Sequence, residues 1–268
     1  MHRGFFLRML VASFVLAVSL FSHAQSKQPR RDPVLLDVLS RVISAAGGSQ
    51  SLSSVHDVSE SGEIIFYSAD EEVKGPVVIR LLGGNHFRME ADVPEGKRTW
   101  VVKDGMGSLK EADGEVHSLS YENALNLGNL TFPLAHFAAT LNDAMTDISL
   151  VGIENMSGHS IYRLRVKGQL GLHSPAAGPE LPVVKDLLVD AVSFDIISVE
   201  DRPFPTYESG GRLSDRPSRA VEFGDFRIVN GVRVPFSITT RLMGQQTLSI
   251  RLSNVTFNSN LGDQDFEN

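Results

Sequence analysis

The residues able to do chemistry in this chain are many, but their spacing aims few of them at one another. Beyond residue 24 the histidines stand at His56, His86, His117, His136, His159 and His173, and no two share the i, i+2 or i, i+4 spacing that points two imidazoles at one metal. Cysteine is absent, which removes disulfides, thiolate nucleophiles, cysteine-ligated metals and an acylated N-terminal cysteine. A serine on a G-x-S-x-G turn and an H-E-x-x-H helix are both missing. The stretch Asp104-Gly105-Met106-Gly107-Ser108 is glycine-rich like a phosphate cradle, yet no helix opens behind it, so it reads as a turn. Asp190, Asp225, Asp263 and Asp265 fall at turns, where solvation and local capping account for carboxylates. The expectation is therefore a protein that is not an enzyme, with no catalytic residue, no metal and no cofactor.

What the chain does present is apolar surface at regular intervals. In HFRMEAD, Phe87, Met89 and Ala91 alternate with His86, Arg88, Glu90 and Asp92, and Trp100 and Val102 repeat the pattern one strand later. A hairpin is written into residues 222–244, EFGDFRIVNGVRVPFSITTRLMG. Its second strand sets Val232, Val234, Phe236, Ile238 and Leu242 against Arg233, Pro235, Ser237, Thr239 and Arg241. A two-residue turn at Asn230-Gly231 would place Arg227 opposite Val234 and Asp225 opposite Phe236, mixing charge into the apolar face. A three-residue loop closed by a bulge at Gly231 instead pairs Ile228 with Val232, Phe226 with Val234 and Gly224 with Phe236. That register keeps one face wholly apolar and is the one expected. Phe87, Met89, Trp100, Phe137, Phe226 and Phe236 are then the candidate ligand-binding residues.

Helix signals frame the strands. Asp32 can cap and Pro33 open a helix over residues 32–46, whose stripe is Leu35, Val38, Leu39, Val42 and Ala46, with Gly47-Gly48 as its stop. Strand patterns follow at 62–67, 76–82, 85–92, 98–103, 107–111 and 115–119. A helical insert occupies 120–129 and 133–144, the second part carrying Leu134, Phe137, Ala138 and Leu141 on one side. Strands resume at 148–153, 160–167, 183–191, 194–200, 219–228, 232–242 and 247–257. Thirteen strands and about three helices make the fold α+β with β dominant. The connections 168–182 and 201–218 are long for a compact domain.

The first 24 residues read as a secretory signal peptide: Arg3 and Arg8, an apolar run from Met9 to Phe21, and Ser22-His23-Ala24 as cleavage site. A leader of residues 25–31 and one domain over 32–268 would follow. Cleavage would remove two basic and no acidic residues, leaving 23 against 32, so the formal charge of −7 becomes −9. A surface of that sign argues against nucleic acid and anionic membrane as partners, and for a soluble periplasmic or secreted protein, peripheral to a membrane at most.

This succession resembles the LolA/LolB-like superfamily of half-barrel lipoprotein carriers. The likeness rests on an amphipathic helix ending in Gly-Gly, DVSESGEIIFY as first strand, a meander, a mid-chain helical insert, LLVDAVSFDIISVE, the closing EFGDFRIVNGVRVPFSI, and a last strand running into DQDFEN. It spans residues 32–266. The resemblance implies a large curved antiparallel sheet, an open half-barrel, with the N-terminal helix and the mid-chain insert covering its concave face. It also implies a soluble carrier whose partner is an apolar ligand or a lipidated protein. The alternative is an envelope protein-interaction module with a packed core and no lipid ligand.

Overall fold

The computed structural model describes residues 32–267 apart from 69–70, 85, 105, 128–145, 157, 169–182 and 203–218. Each of the thirteen strand patterns becomes a strand. A first meander runs through β1 (Asp57–Tyr67), β2 (Glu72–Leu82), β3 (His86–Val93), β4 (Gly96–Lys103), β5 (Met106–Lys110) and β6 (Val116–Leu119). A second runs through β7 (Asp147–Met156), β8 (His159–Gly168), β9 (Val183–Asp190), β10 (Ile196–Arg202), β11 (Arg219–Val229), β12 (Val232–Leu242) and β13 (Gln245–Phe257). The two meanders join where β1 pairs with β13, in the order β6-β5-β4-β3-β2-β1-β13-β12-β11-β10-β9-β8-β7. All pairs are antiparallel and the sheet is open, with β6 and β7 as its edges.

Cross-strand register reveals the curvature. Glu60 pairs with Ile79, Ile79 with Met89 and Met89 with Trp100, so Trp100 stands three strands and six residues from Phe66. In a flat sheet those Cα atoms would be roughly 24 Å apart, from spacings of about 4.8 Å per strand and 3.3 Å per residue. Their rings nevertheless stack with centroids 5.8 Å apart. The sheet therefore coils, and the face that carries Phe66 and Trp100 is concave.

That face is the core. Ile64, Ile79, Phe87, Met89, Val102, Leu164, Leu187, Val234, Ile238 and Ile250 belong to one buried cluster. Helix α1 (Pro33–Ala45) enters the same cluster through Leu35, Val38, Leu39 and Val42, the stripe predicted from the sequence. Gly47, at φ 116°, breaks the helix only briefly, because a second short helix, α2 (Gly48–Ser53), follows at once. The expected stop is thus a kink between two helices. Gly47 also meets the hairpin turn: a Cβ there would lie 2.1 Å from the Gly231 carbonyl oxygen. Beside it the Arg233 N–H donates to the Ala46 carbonyl at 3.0 Å, which ties the end of α1 to β12.

The hairpin corrects the sequence reading. Asn230 and Gly231 both have positive φ, 47° and 81°, and Val229 pairs with Val232, so the loop has two residues. Arg227 consequently pairs with Val234, and Phe226 with Pro235. The charge that argued against this register finds partners on the concave side. The Arg227 guanidinium lies 4.3 Å from the Phe236 ring centroid and 2.6 Å from Asp225, itself at φ 49°. Phe226 is half-buried against the core cluster, with Arg233 5.5 Å over its ring.

Of the mid-chain insert, helix α3 (Tyr121–Leu127) is described. The helix expected at 133–144, and Phe137 with it, lie outside the described residues. Helix α3 packs on β5 at Gly107, where a Cβ would meet that of Ala124 at 2.9 Å. Met106, Gly107 and Ser108, expected as part of a turn, are therefore strand positions, and Asp104, at φ 50°, stands in the turn before them. The C-terminal segment straps the other face of the sheet. The Asp57 carboxylate accepts backbone N–H bonds from Ser259 and Asn260, at 2.7 and 3.1 Å. Phe266, in a 3-10 turn at Asp263–Phe266, is buried beside His86.

Candidate functional site

The concave face is filled over much of its area and open at one end. Phe87, Met89 and Phe236 are 0%, 1% and 6% exposed, so three of the six expected ligand-binding residues are core. Trp100 is different. It lines a cavity of about 330 Å³ together with Phe66, Leu119, Leu127, Leu242 and Leu248. Strand alternation explains the wall: Trp100 shares a face with Val102, and Phe66 with Ile64, while Leu119 and Leu127 come from the two elements that flank the turn at Ser120. The structure thus brings Trp100 to the cavity, leaves Phe87, Met89 and Phe236 in the core, and packs Phe226, half-buried, against that core.

Polar groups share that lining with the apolar ones. Asn123 and Asn126 come from α3, Arg219 from the first residue of β11, and Thr240 and Thr247 from β12 and β13. Arg219 Nη2 donates to Asn123 Oδ1 at 3.4 Å. Thr240 is 8% exposed, and its hydroxyl has no hydrogen-bond partner among the described residues. Behind Arg219, a concave-face row runs through paired positions Lys185, Asp201 and Arg219 on three successive strands. Lys185 is 1% exposed, with Nζ 3.2 Å from Asp201 Oδ1 and 3.4 Å from Asn126 Oδ1. Burial holds its ammonium below the ordinary lysine value, and the Asp201 carboxylate opposes that.

Glu60 is the other unanticipated group. It lies on β1 in phase with Val58, Ile64 and Phe66, is 1% exposed, and is cross-strand neighbour to Ile79 and Val255. Its Oε2 has no hydrogen-bond partner among the described residues. Desolvation raises its pKa to about 8, so at neutral pH the buried carboxyl is held in its uncharged form. The signal was present in DVSESGEIIFY, where a glutamate sits in register with apolar residues. The strand expected from Gly62 onward leaves that position out. Arg219 and Thr240 carry the same signal, in phase with Val221 and Ile238.

The carboxylates read as turn residues divide. Asp190 accepts the N–H groups of Val192 and Ser193 at 2.9 and 2.7 Å, closing its turn, and Asp265 accepts that of Gly262 at 2.8 Å. Asp225 stands inside β11. Among the described residues no group of three or more potential ligands is placed to hold a metal ion. No helix of the described residues is long and apolar enough to cross a membrane.

No protein-family model matches the sequence, and no curated protein matches it. Solved structures do. A LolA superfamily protein from Nitrosomonas europaea is 15% identical, with a TM-score of 0.52 over 85% of this chain and 96% of that one. A DUF1329 family protein from Desulfovibrio piger is 14% identical, with a TM-score of 0.51 over 88% of this chain and 98% of that one. The resemblance read from the sequence is thus a resemblance of fold: this chain has the open, coiled antiparallel sheet of LolA superfamily structures.

Proposed function

We propose that this protein is a non-enzymatic, exported binder of acyl chains, free or attached to a lipoprotein, working in the bacterial envelope. The observation that carries the reading is the cavity at the end of the concave face, about 330 Å³ and walled mainly by Phe66, Trp100, Leu119, Leu127, Leu242 and Leu248. Its volume is at the lower end of the roughly 300–1,000 Å³ of small-molecule sites, and such sites are mostly apolar with a few polar groups at one side. A single acyl chain matches both. The carrier role implied by the fold agrees with this, although fold alone never fixes function.

The test contrasts the wall with the core. A fluorescent fatty acyl probe should bind the wild-type chain, and Trp100→Ala should weaken it roughly tenfold, about 1.4 kcal/mol. Phe87→Ala, in the filled core, should instead lose roughly 3–5 kcal/mol of stability, and Trp100→Ala distinctly less. Absence of probe binding by the wild type, with a core-sized stability loss in Trp100→Ala, would sink the carrier reading. A second reading then gains: edge strand β7 exposes Val151, Ile153 and Met156 at 48%, 64% and 41%, and could pair with a protein partner by strand addition.

A further inference from the structure

The described wall of the cavity is mainly apolar and carries one cation, Arg219, and no acid, and that imbalance selects a ligand class. We infer that it takes a single-chain amphiphile with an anionic head, oriented so that the head meets Arg219 and Thr240 while the chain lies over Phe66, Trp100 and Leu248. This rests on the acyl-binding reading and specifies the ligand and its direction.

Charge complementarity is the first ground. Lys185, Asp201 and Arg219 stand in one concave-face row, and the Asp201 carboxylate is engaged by Lys185 at 3.2 Å. Lys185 therefore answers the one acidic group in the row, and Arg219 is the cation in excess. Among the described residues the Arg219 side chain makes no ion pair, and its one hydrogen bond is the 3.4 Å contact with Asn123. A guanidinium with so few partners keeps donors for a carboxylate, which it can hold in a two-pronged contact.

The second ground is independent of charge. Thr240 pairs with Val221 on β11, two residues along from Arg219, and with Leu248 on β13, so its side chain shares the concave face between Arg219 and the apolar wall. Its hydroxyl is buried and without a partner among the described residues. A buried donor left unmade is costly, and a head group that accepts from it relieves the cost. Arg219 and Thr240 thus offer donors to one acceptor, while acids on the cavity wall are absent among the described lining residues.

Calorimetric titration of the full exported chain with dodecanoate, dodecanol and dodecyltrimethylammonium at neutral pH tests this. These ligands share a chain length and differ in head charge. Wild type should bind dodecanoate roughly tenfold or more tighter than dodecanol, the size of one charge-assisted hydrogen bond, and the cationic ligand most weakly. Arg219→Met should erase the preference, bringing the affinity for dodecanoate down to that for dodecanol. Thr240→Val should weaken dodecanoate roughly threefold while raising thermal stability, which a merely structural threonine would not do. Equal wild-type affinity for acid and alcohol, or a preference that survives Arg219→Met, overturns the anionic-head inference and leaves acyl binding standing. Failure of all three ligands to bind the folded wild type overturns both.

Discussion

Two regions of this sheet bury ionisable groups, and they treat them in opposite ways. On the convex side of β7 to β10, Asp186 is fully buried and receives Arg165 in a bidentate pair at 2.8 and 2.9 Å and Arg163 at 3.2 Å. Arg163 also binds Glu200 at 2.7 Å and Glu154 at 2.7 and 2.9 Å, and these contacts hold its guanidinium above the ordinary arginine value. On the concave side of β1, Glu60 is as deeply buried, its Oε2 has no hydrogen-bond partner among the described residues, and burial raises its pKa. A buried network whose members satisfy one another fixes strand positions. A buried group without a partner costs stability for as long as the fold persists. The difference teaches that in this molecule the convex charges are architecture, whereas on the concave face Lys185 and Asp201 pair but Glu60 and Thr240 are buried with side-chain atoms that no described residue satisfies.

The sharpest way to break the contrast is through pH. Glu60 reverses the usual carboxylate behaviour, because its folded-state value, about 8, lies above the ordinary 4.5. Below pH 4.5 both folded and unfolded forms hold the proton and no penalty exists. Between 4.5 and about 8 the unfolded chain releases it first, so stability falls with rising pH, and above 8 the loss is complete. The full difference is up to about 5 kcal/mol. Urea unfolding across this range should show wild-type stability declining relative to Glu60→Gln, with the gap widening toward pH 8. Parallel curves would mean that Glu60 has a partner after all. Removing the hub of the convex network should act in the other direction. Asp186→Ala leaves Arg163 and Arg165 without their shared anion, and the expected loss is roughly 3–5 kcal/mol by the same measurement. A loss below about 1 kcal/mol would place the network among ordinary surface pairs.

Much of this was legible in the sequence, and what was hidden has physical reasons. Alternation in residues such as Phe87, Met89, Trp100 and Val102 fixed strand identity and facing, because a half-buried strand must alternate. Helix α1 was readable from Leu35, Val38, Leu39 and Val42. The hairpin register differs from the expected one because this end of the sheet face is open: Arg227 and Asp225 stay half exposed, pair with each other, and Arg227 covers Phe236. The cavity itself was beyond reach. Phe66 and Trp100 lie three strands apart and meet only through the coil of the sheet, a property of many residues acting together. Glu60, Arg219 and Thr240 are legible as polar residues in apolar phase: Glu60 stands two residues ahead of the strand expected from Gly62, and Arg219 and Thr240 stand within theirs.

Thr240 gives the smallest effect and the finest division between the two regions. Its hydroxyl is buried at 8% exposure on the concave face, between Val221 and Leu248, with no partner among the described residues. Valine has nearly the same shape and no hydroxyl, so Thr240→Val removes an unmet donor without opening a cavity. If the concave polar groups are retained at a cost, the variant should be more stable than wild type by about 1 kcal/mol, read as a shift in the urea midpoint at constant slope. Were Thr240 instead part of a satisfied network like that around Asp186, the same change would destabilise by a similar amount, since its partner would lose a bond. The sign decides, and it does so without any ligand present.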